Sequence, residues 1–291
     1  MSTAADPVKL RIAGVGEHFN LPWQLGLERR AFFRAGVELR WRTVKEGTGA
    51  MCDLLRKGEV ELAVLVTEGA VMDILKGNPS RIVWAFVDSP LTWGLHVGAG
   101  SPRSSLEELK GDPFVISRFG SGSHLAALAF AQQQGWTPTE DKFIVANDLD
   151  GAIKALQGAE PATFLWERYT TKPFVDQGLL RCVGTYRNSW PAFVLVARED
   201  VLAGHGQEVQ RLVKIVRDQA AGLMQKKSAP EMIAHRYGLT VVDAREWFAE
   251  VRWNTAGELP EDAFPEVVSS LKEIGIWDGT PDEARVLTTL K

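Results

Sequence analysis

The sequence predicts an α/β protein of two lobes joined by a hinge, with a ligand-sized cleft between them. Three observations predict it. Strand and helix patterns alternate from the start of the chain. That alternation breaks at Asp88-Ser89-Pro90, where one strand follows another directly, and then restarts. A second break at Trp190-Pro191 precedes one last apolar strand before a helical end. Alternation of this kind builds a mostly parallel sheet with helices on both faces. The 291 residues also exceed what one hydrophobic core commonly serves.

Val8, Leu10 and Ile12 alternate with Lys9 and Arg11, the two-residue period of a strand. Pro22 opens a helix running to about Arg34, because proline is tolerated in a first turn, and Gly36 ends it. Val37, Leu39, Trp41 and Thr43 alternate with Glu38, Arg40 and Arg42, a second strand with one wetter face. Thr48-Gly49 leads into a helix that stops at Gly58, and Leu62 to Val66 is apolar throughout, as in a strand covered on both faces. Residues 68–76 then read as helix, 81–87 as strand, and 91–98 as the strand that crosses to the second lobe. There the pattern gives helix 105–110, strand 114–117, helix 123–134, strand 142–146, helix 149–157, strand 162–165, helix 167–176 and strand 180–185. Residues 192–197 form the returning strand. Everything beyond about Asp200 reads as helix, ending in a cap where Trp247, Phe248, Trp253 and Trp277 pack together. Lobe 1 is therefore expected to be 1–94 plus 191–291 with its helical cap, and lobe 2 to be 95–190. Two crossings of this kind form a hinge that absorbs closure around a ligand.

Composition narrows the function. A formal net charge of -4 and an isoelectric point near 5.8 argue against nucleic acid, which calls for a basic surface. No polybasic cluster marks a lipid surface, and no stretch approaches the roughly 20 apolar residues of a membrane span. The chain as it stands opens on a strand pattern with no basic-then-apolar leader, so a cytoplasmic location is expected, or a periplasmic one if the start is trimmed. Cys52 and Cys182 are expected to be buried free thiols. No metal site or cofactor is expected.

Ligands of open α/β sheets bind outside the carboxyl ends of the strands, which selects the loops to inspect. In the first lobe these carry Gly14-Val-Gly16-Glu17-His18, Glu46-Gly47-Thr48-Gly49 and Thr67-Glu68-Gly69. In the second they carry Ser117-Arg118-Phe-Gly120-Ser121-Gly122-Ser123-His124, Asn147-Asp148 and Trp166-Glu167. Small and hydroxylated residues just before helices suit a polar ligand. A helix start offers unpaired N–H groups and partial positive charge, glycine lets the backbone approach, and Ser or Thr adds a donor. Simple N-capping explains one such loop; two, around Thr48 and Ser121 to Ser123 on opposed lobes, would grip one ligand from both sides. His18 and His124 sit in the predicted cleft loops. Glu68 and Glu167 could accept from an amine or amidine, Arg118 could fork onto a carboxylate or sulfonate, and Trp23, Trp93 or Trp166 could stack on a planar ligand.

Signatures of catalysis are missing. There is no P-loop, no complete dinucleotide fingerprint, no His-Glu-x-x-His and no Gly-x-Ser-x-Gly elbow. The reading is a non-enzymatic binder of a small polar or anionic solute, a planar one where a tryptophan stacks on it. Two alternatives stay open: an enzyme on the same scaffold with His18 or Glu68 as acid/base, and a cytoplasmic metabolite sensor.

Glu17-His-Phe-Asn-Leu-Pro-Trp23, Gly47-Thr-Gly-Ala50, Thr67-Glu-Gly69, Ser89-Pro-Leu-Thr-Trp-Gly94 and Ser117-Arg-Phe-Gly-Ser-Gly-Ser-His124 occur in order. Together they resemble the type 2 periplasmic binding protein superfamily, near its sulfonate, nitrate and thiamine-precursor group, in a subgroup lacking secretion signals. The resemblance spans roughly residues 8 to 200. It implies the type 2 periplasmic-binding-protein fold, a small-molecule ligand and an ABC permease as a candidate partner. It also implies contact roles for Asn20, Thr48, Thr67, Ser121 and Ser123, and for His18, His124 and Glu167. The cysteine-rich run of the fungal pyrimidine-precursor synthases is absent, which argues against that self-consuming chemistry.

Overall fold

A computed structural model describes residues 6–257 and 263–290. Along the chain β1 (Val8–Gly14), α1 (Leu21–Glu28), α2 (Ala31–Arg34), β2 (Val37–Thr43), α3 (Thr48–Arg56), β3 (Leu62–Val66), α4 (Thr67–Leu75) and β4 (Ser80–Val87) come first. Next are β5 (Thr92–Gly98), β6 (Phe114–Ile116), α5 (Gly122–Gln133), β7 (Phe143–Val145), α6 (Leu149–Leu156), β8 (Thr163–Glu167), α7 (Lys172–Asp176) and β9 (Leu180–Arg187). β10 (Phe193–Arg198) is followed by α8 (Glu199–Gln225), α9 (Ala229–Tyr237), α10 (Val241–Glu250), α11 (Ala263–Glu273) and α12 (Glu283–Val286). None of these helices is long and apolar enough to cross a membrane.

The strands make two five-stranded sheets, ordered β2-β1-β3-β10-β4 and β7-β6-β8-β5-β9. One sheet centres each lobe, and the two share a plan. In each, the strand that arrives straight from the other lobe, β10 or β5, sits second from one edge and runs antiparallel to both neighbours. The expected mostly parallel sheets are therefore mixed, with two parallel and two antiparallel pairings apiece. A parallel neighbour needs a long crossover on one face. The crossings here are too short for that, and they deliver the strand from the opposite end of the sheet.

The helix expected from Pro22 to Arg34 is broken. Arg30 takes a left-handed φ of 51°, and the chain restarts as α2. The break lets Phe32 turn back onto Gly26, where a Cβ would lie 2.6 Å from the Phe32 ring. A continuous helix would hold residues 26 and 32 on different faces. The helix expected at 105–110 is a single 3-10 turn, Glu107–Leu109, and that expected at 167–176 shortens to α7.

The cap is partly as expected. Trp247 and Trp253 meet edge to face at 5.7 Å, and Phe248 packs on both. Trp277 lies elsewhere: it packs with the core beneath α11, and Lys272 Nζ stands 5.4 Å over its ring. Cys52 is buried, but Cys182 is exposed, against expectation, because β9 is an edge strand with one face toward solvent; both thiols are free.

Asp148, in a loop expected at the cleft, caps α6 instead, its carboxylate accepting the Gly151 N–H at 2.9 Å. Asp148→Ala is expected to remove about 1 kcal/mol of stability and lower Tm by about 2–4 °C, as a thermal melt would record.

Candidate functional site

The carboxyl ends of the strands meet between the lobes around a cavity of about 40 Å3, room for on the order of three waters. Its first-lobe wall is Val15, Glu17, Glu46, Gly47, Thr48, Val66 and Phe193. The facing wall is Leu91, Trp93, Ser117, Ser121, Gly122, Ser123, Trp166 and Glu167. A larger groove, of about 1480 Å3, runs along Arg81, Arg211 and Arg217 on the outside of lobe 1. All its walls come from that one lobe, so a hinge motion would not close it.

Two helix starts reach the cavity. Gly47 turns the chain into α3 with φ 75°, a conformation that favours glycine, and its carbonyl accepts the Met51 N–H at 3.3 Å. The N–H groups of Thr48 to Ala50 therefore lack intrahelical partners. The buried Thr48 hydroxyl accepts the Val66 N–H at 3.2 Å, which leaves its own proton to donate. Opposite, Ser121 caps α5 by accepting the His124 N–H at 3.3 Å. Ser123 accepts the Ser117 N–H at 3.0 Å, and the Ser121 and Ser123 hydroxyls lie 3.0 Å apart. Capping and cavity lining thus coexist in the same serines.

The carboxylates were only half anticipated. Glu167, at the end of β8, accepts from the Thr170 N–H and hydroxyl at 2.6 and 2.8 Å. Burial outweighs those bonds and pushes its carboxyl up to about 7. Glu17, absent from the sequence candidates, accepts the Trp166 Nε1–H across the cleft at 3.2 Å. Burial, then the charge of Glu167, raises it to about 8. No local pattern marks it, because its partner Trp166 lies 149 residues away. His18 sits just behind this pair, Nε2 3.5 Å from Glu167 Oε2, with its ring against Trp247 at 4.2 Å. Burial pushes the imidazole down to about 3.

Of the sequence candidates, Thr48, Ser121, Gly122, Ser123, Trp166 and Glu167 line the cavity together. Gly49 and Arg118 face each other just outside it, a Cβ on Gly49 falling 3.0 Å from Arg118 Cδ. Asn20 stands behind the first loop and donates to the Val15 carbonyl at 2.9 Å. Thr67 and Glu68 turn toward the returning crossing instead: Thr67 donates to the Pro191 carbonyl, and Glu68 accepts the Trp190 Nε1–H at 2.9 Å. His124 accepts the Gly120 N–H at 3.0 Å and packs between Phe119 and Phe143, away from the cavity. Trp93 is on the wall, but Trp23 is sealed in the lobe 1 core against Phe32 and Phe86 and can stack on no ligand. Neither acid/base candidate, His18 nor Glu68, is on the cavity wall.

A family model described as a Ca3427-like periplasmic binding protein matches residues 93–186, the span of the second sheet. Among solved structures, the Candida albicans CA3427 gene product, described as having the generic periplasmic binding protein fold, is 25% identical with a TM-score of 0.87. That match covers 95% of this chain and 94% of that one. The alkanesulfonate-binding protein SsuA from Xanthomonas axonopodis pv. citri, bound to MOPS, is 15% identical with a TM-score of 0.76 over 98% and 97% of the chains. The periplasmic aliphatic sulphonate binding protein SsuA from Escherichia coli is 16% identical with a TM-score of 0.66 over 92% and 91%. No curated protein sequence matches the chain. The chain has the two-lobed periplasmic-binding-protein fold, and these neighbours are described as binding proteins or by their fold.

Proposed function

We propose that this chain, a periplasmic-binding-protein fold, is a solute-binding protein whose lobes close on one small polar ligand held between the starts of α3 and α5. The observation that carries the reading is the opposition of two helix starts, one per lobe, across a single cavity. Their free N–H groups and the Thr48 hydroxyl suit a carboxylate, sulfonate or other strong acceptor. The hinge would lie at 88–92 and 188–192, between the two sheets. Lobe 1 would hold the chain up to the first crossing and beyond the second, and lobe 2 the chain between. Delivery to an ABC permease fits the neighbours described as transport components, such as the ligand-binding component of an ABC-type import system from Staphylococcus aureus.

A thermal-shift screen over carboxylates, sulfonates, nitrate and aminopyrimidines tests the reading. A solute at 100 times its Kd should add about 2.7 kcal/mol of stability, a rise of several degrees. Thr48→Ala is expected to weaken that solute about tenfold by removing one donor, while Thr48→Ser retains affinity. Full affinity in a Thr48→Ala, Ser121→Ala double variant would place binding elsewhere. No stabilising solute of any class would overturn the reading.

A further inference from the structure

We propose, resting on the binding reading above, that the solute carries a cationic N–H group, an ammonium or amidinium, which sits between Glu17 and Glu167. The two carboxylates approach from opposite lobes, so closure itself would complete the cation's partners. Glu17, Glu46 and Glu167 line the cavity, and among the described residues no lysine or arginine does. Glu17 and Glu167 are 8% and 3% exposed. A buried carboxylate is tolerated when a cation or donors satisfy it. For Glu17 the described residues supply one indole N–H, on Oε1, and nothing on Oε2.

A second feature, a buried polar atom behind Glu167, points to the same spot. His18 is 1% exposed, and its Nε2 faces Glu167 Oε2 from 3.5 Å without a hydrogen bond to any described group. Its ring is held by Phe19 and Trp247, so the atom is aimed by packing and not by a polar partner. A ligand N–H drawn to Glu167 Oε2 would bring a polar group next to this buried, unpartnered nitrogen as well. The indoles of Trp93 and Trp166 line the same cavity and would favour a desolvated cation over an anion. With the acceptor end of the solute at the helix starts, the ligand class is a small zwitterion.

Matched pairs differing only in the amine test this: 3-aminopropanoate against propanoate, 2-aminoethanesulfonate against ethanesulfonate, and guanidinoacetate against acetate, each titrated calorimetrically. The aminated member of at least one pair should bind more than about tenfold tighter, the size of one charge-assisted hydrogen bond. Glu17→Gln and Glu167→Gln should each shrink the affinity ratio within the pair to less than about threefold, the ratio being the readout. Glutamine keeps the shape and an acceptor, for Trp166 at position 17 and for Thr170 at position 167, so both variants are expected to fold, with an unliganded Tm at pH 8 no lower than the parent's.

The pH dependence adds a readout that mere packing would not move. With carboxyls at about 8 and 7, the unliganded site holds protons at pH 6 and must release them to pair a cation. His18, at about 3, stays neutral throughout; Trp166, Thr170 and the rim residue Glu46 face the pair, with the Arg168 charge beside Glu167 and the Tyr237 ring behind Glu17. Affinity for the aminated member should therefore rise from pH 6 to 8 with proton release, and a Glu17→Gln, Glu167→Gln variant should lose that slope. Equal or tighter binding of the des-amino members, or a solute from the broad screen that binds without any cationic N–H, would overturn the proposal and leave the binding reading intact. Silence from every solute in both sets would overturn both.

Discussion

Gly122→Leu is expected to hold the lobes apart and to abolish solute binding while each lobe stays folded. Gly122 opens α5, and a Cβ there would lie 3.2 Å from Val66 Cγ2 of the other lobe and 3.3 Å from Trp93 Cη2. Alanine asks its neighbours to yield by a few tenths of an ångström. Leucine adds three carbons in the same direction, into a contact whose far side is the buried end of β3. Its φ is not in the left-handed region, so the backbone accepts the change. Against Val66 the relief available is hinge opening, which parts it from Gly122 and exposes both helix starts to water; the Trp93 ring, on the same wall, turns aside into the opened cleft. We expect an affinity loss of about 100-fold or more, equivalent to about 2.7 kcal/mol, a larger radius of gyration by small-angle scattering, and a Tm within a few degrees of the parent. Gly122→Ala should lose less than about tenfold. Parent-like affinity in Gly122→Leu would mean that the lobes need not meet for binding.

Trp23→Ala is expected to have the opposite signature. The side chain is fully buried, stacked on Phe32 at 5.9 Å and edge-on to Phe86 at 6.2 Å. Its removal should cost about 3–5 kcal/mol through lost burial and the cavity left behind. At about 2–4 °C per kcal/mol for a lobe-sized unit, Tm falls by more than about 6 °C. The affinity of the folded fraction should not change, because no atom of Trp23 lines the cavity. Trp23→Phe should be milder than Trp23→Ala, since Nε1 has no hydrogen-bond partner among the described residues to lose. A selective loss of binding in Trp23→Ala without a stability loss would return this residue to the site.

The contrast between these two glycine and tryptophan positions shows what the sequence could and could not convey. The two lobes, the crossings and the approach of Thr48 and Ser121 to Ser123 were legible because they follow from local patterns: strand periods, proline breaks, and small residues before helices. The direction of β5 and β10 was not, because it depends on which end of a sheet a crossing strand enters. The break at Arg30 was hidden because only the burial of Phe32 on Gly26 demands it. Glu68 looked equivalent to Glu167, each beginning the segment after a strand. The indole of Trp190, 122 residues distant, holds Glu68 at the returning crossing, while Glu167 faces the cavity. Glu17 went unseen for a related reason: its burial arises only when the second lobe brings Trp166 and Glu167 against it.

The most direct test is a crystal structure of the chain with the solute that gives the largest thermal shift. The account predicts one solute molecule between the lobes, within hydrogen-bond distance of Thr48 on one side and of the Ser121 to Ser123 segment on the other. A solute held by one lobe alone, as in the outer groove along Arg81 and Arg217, would contradict it.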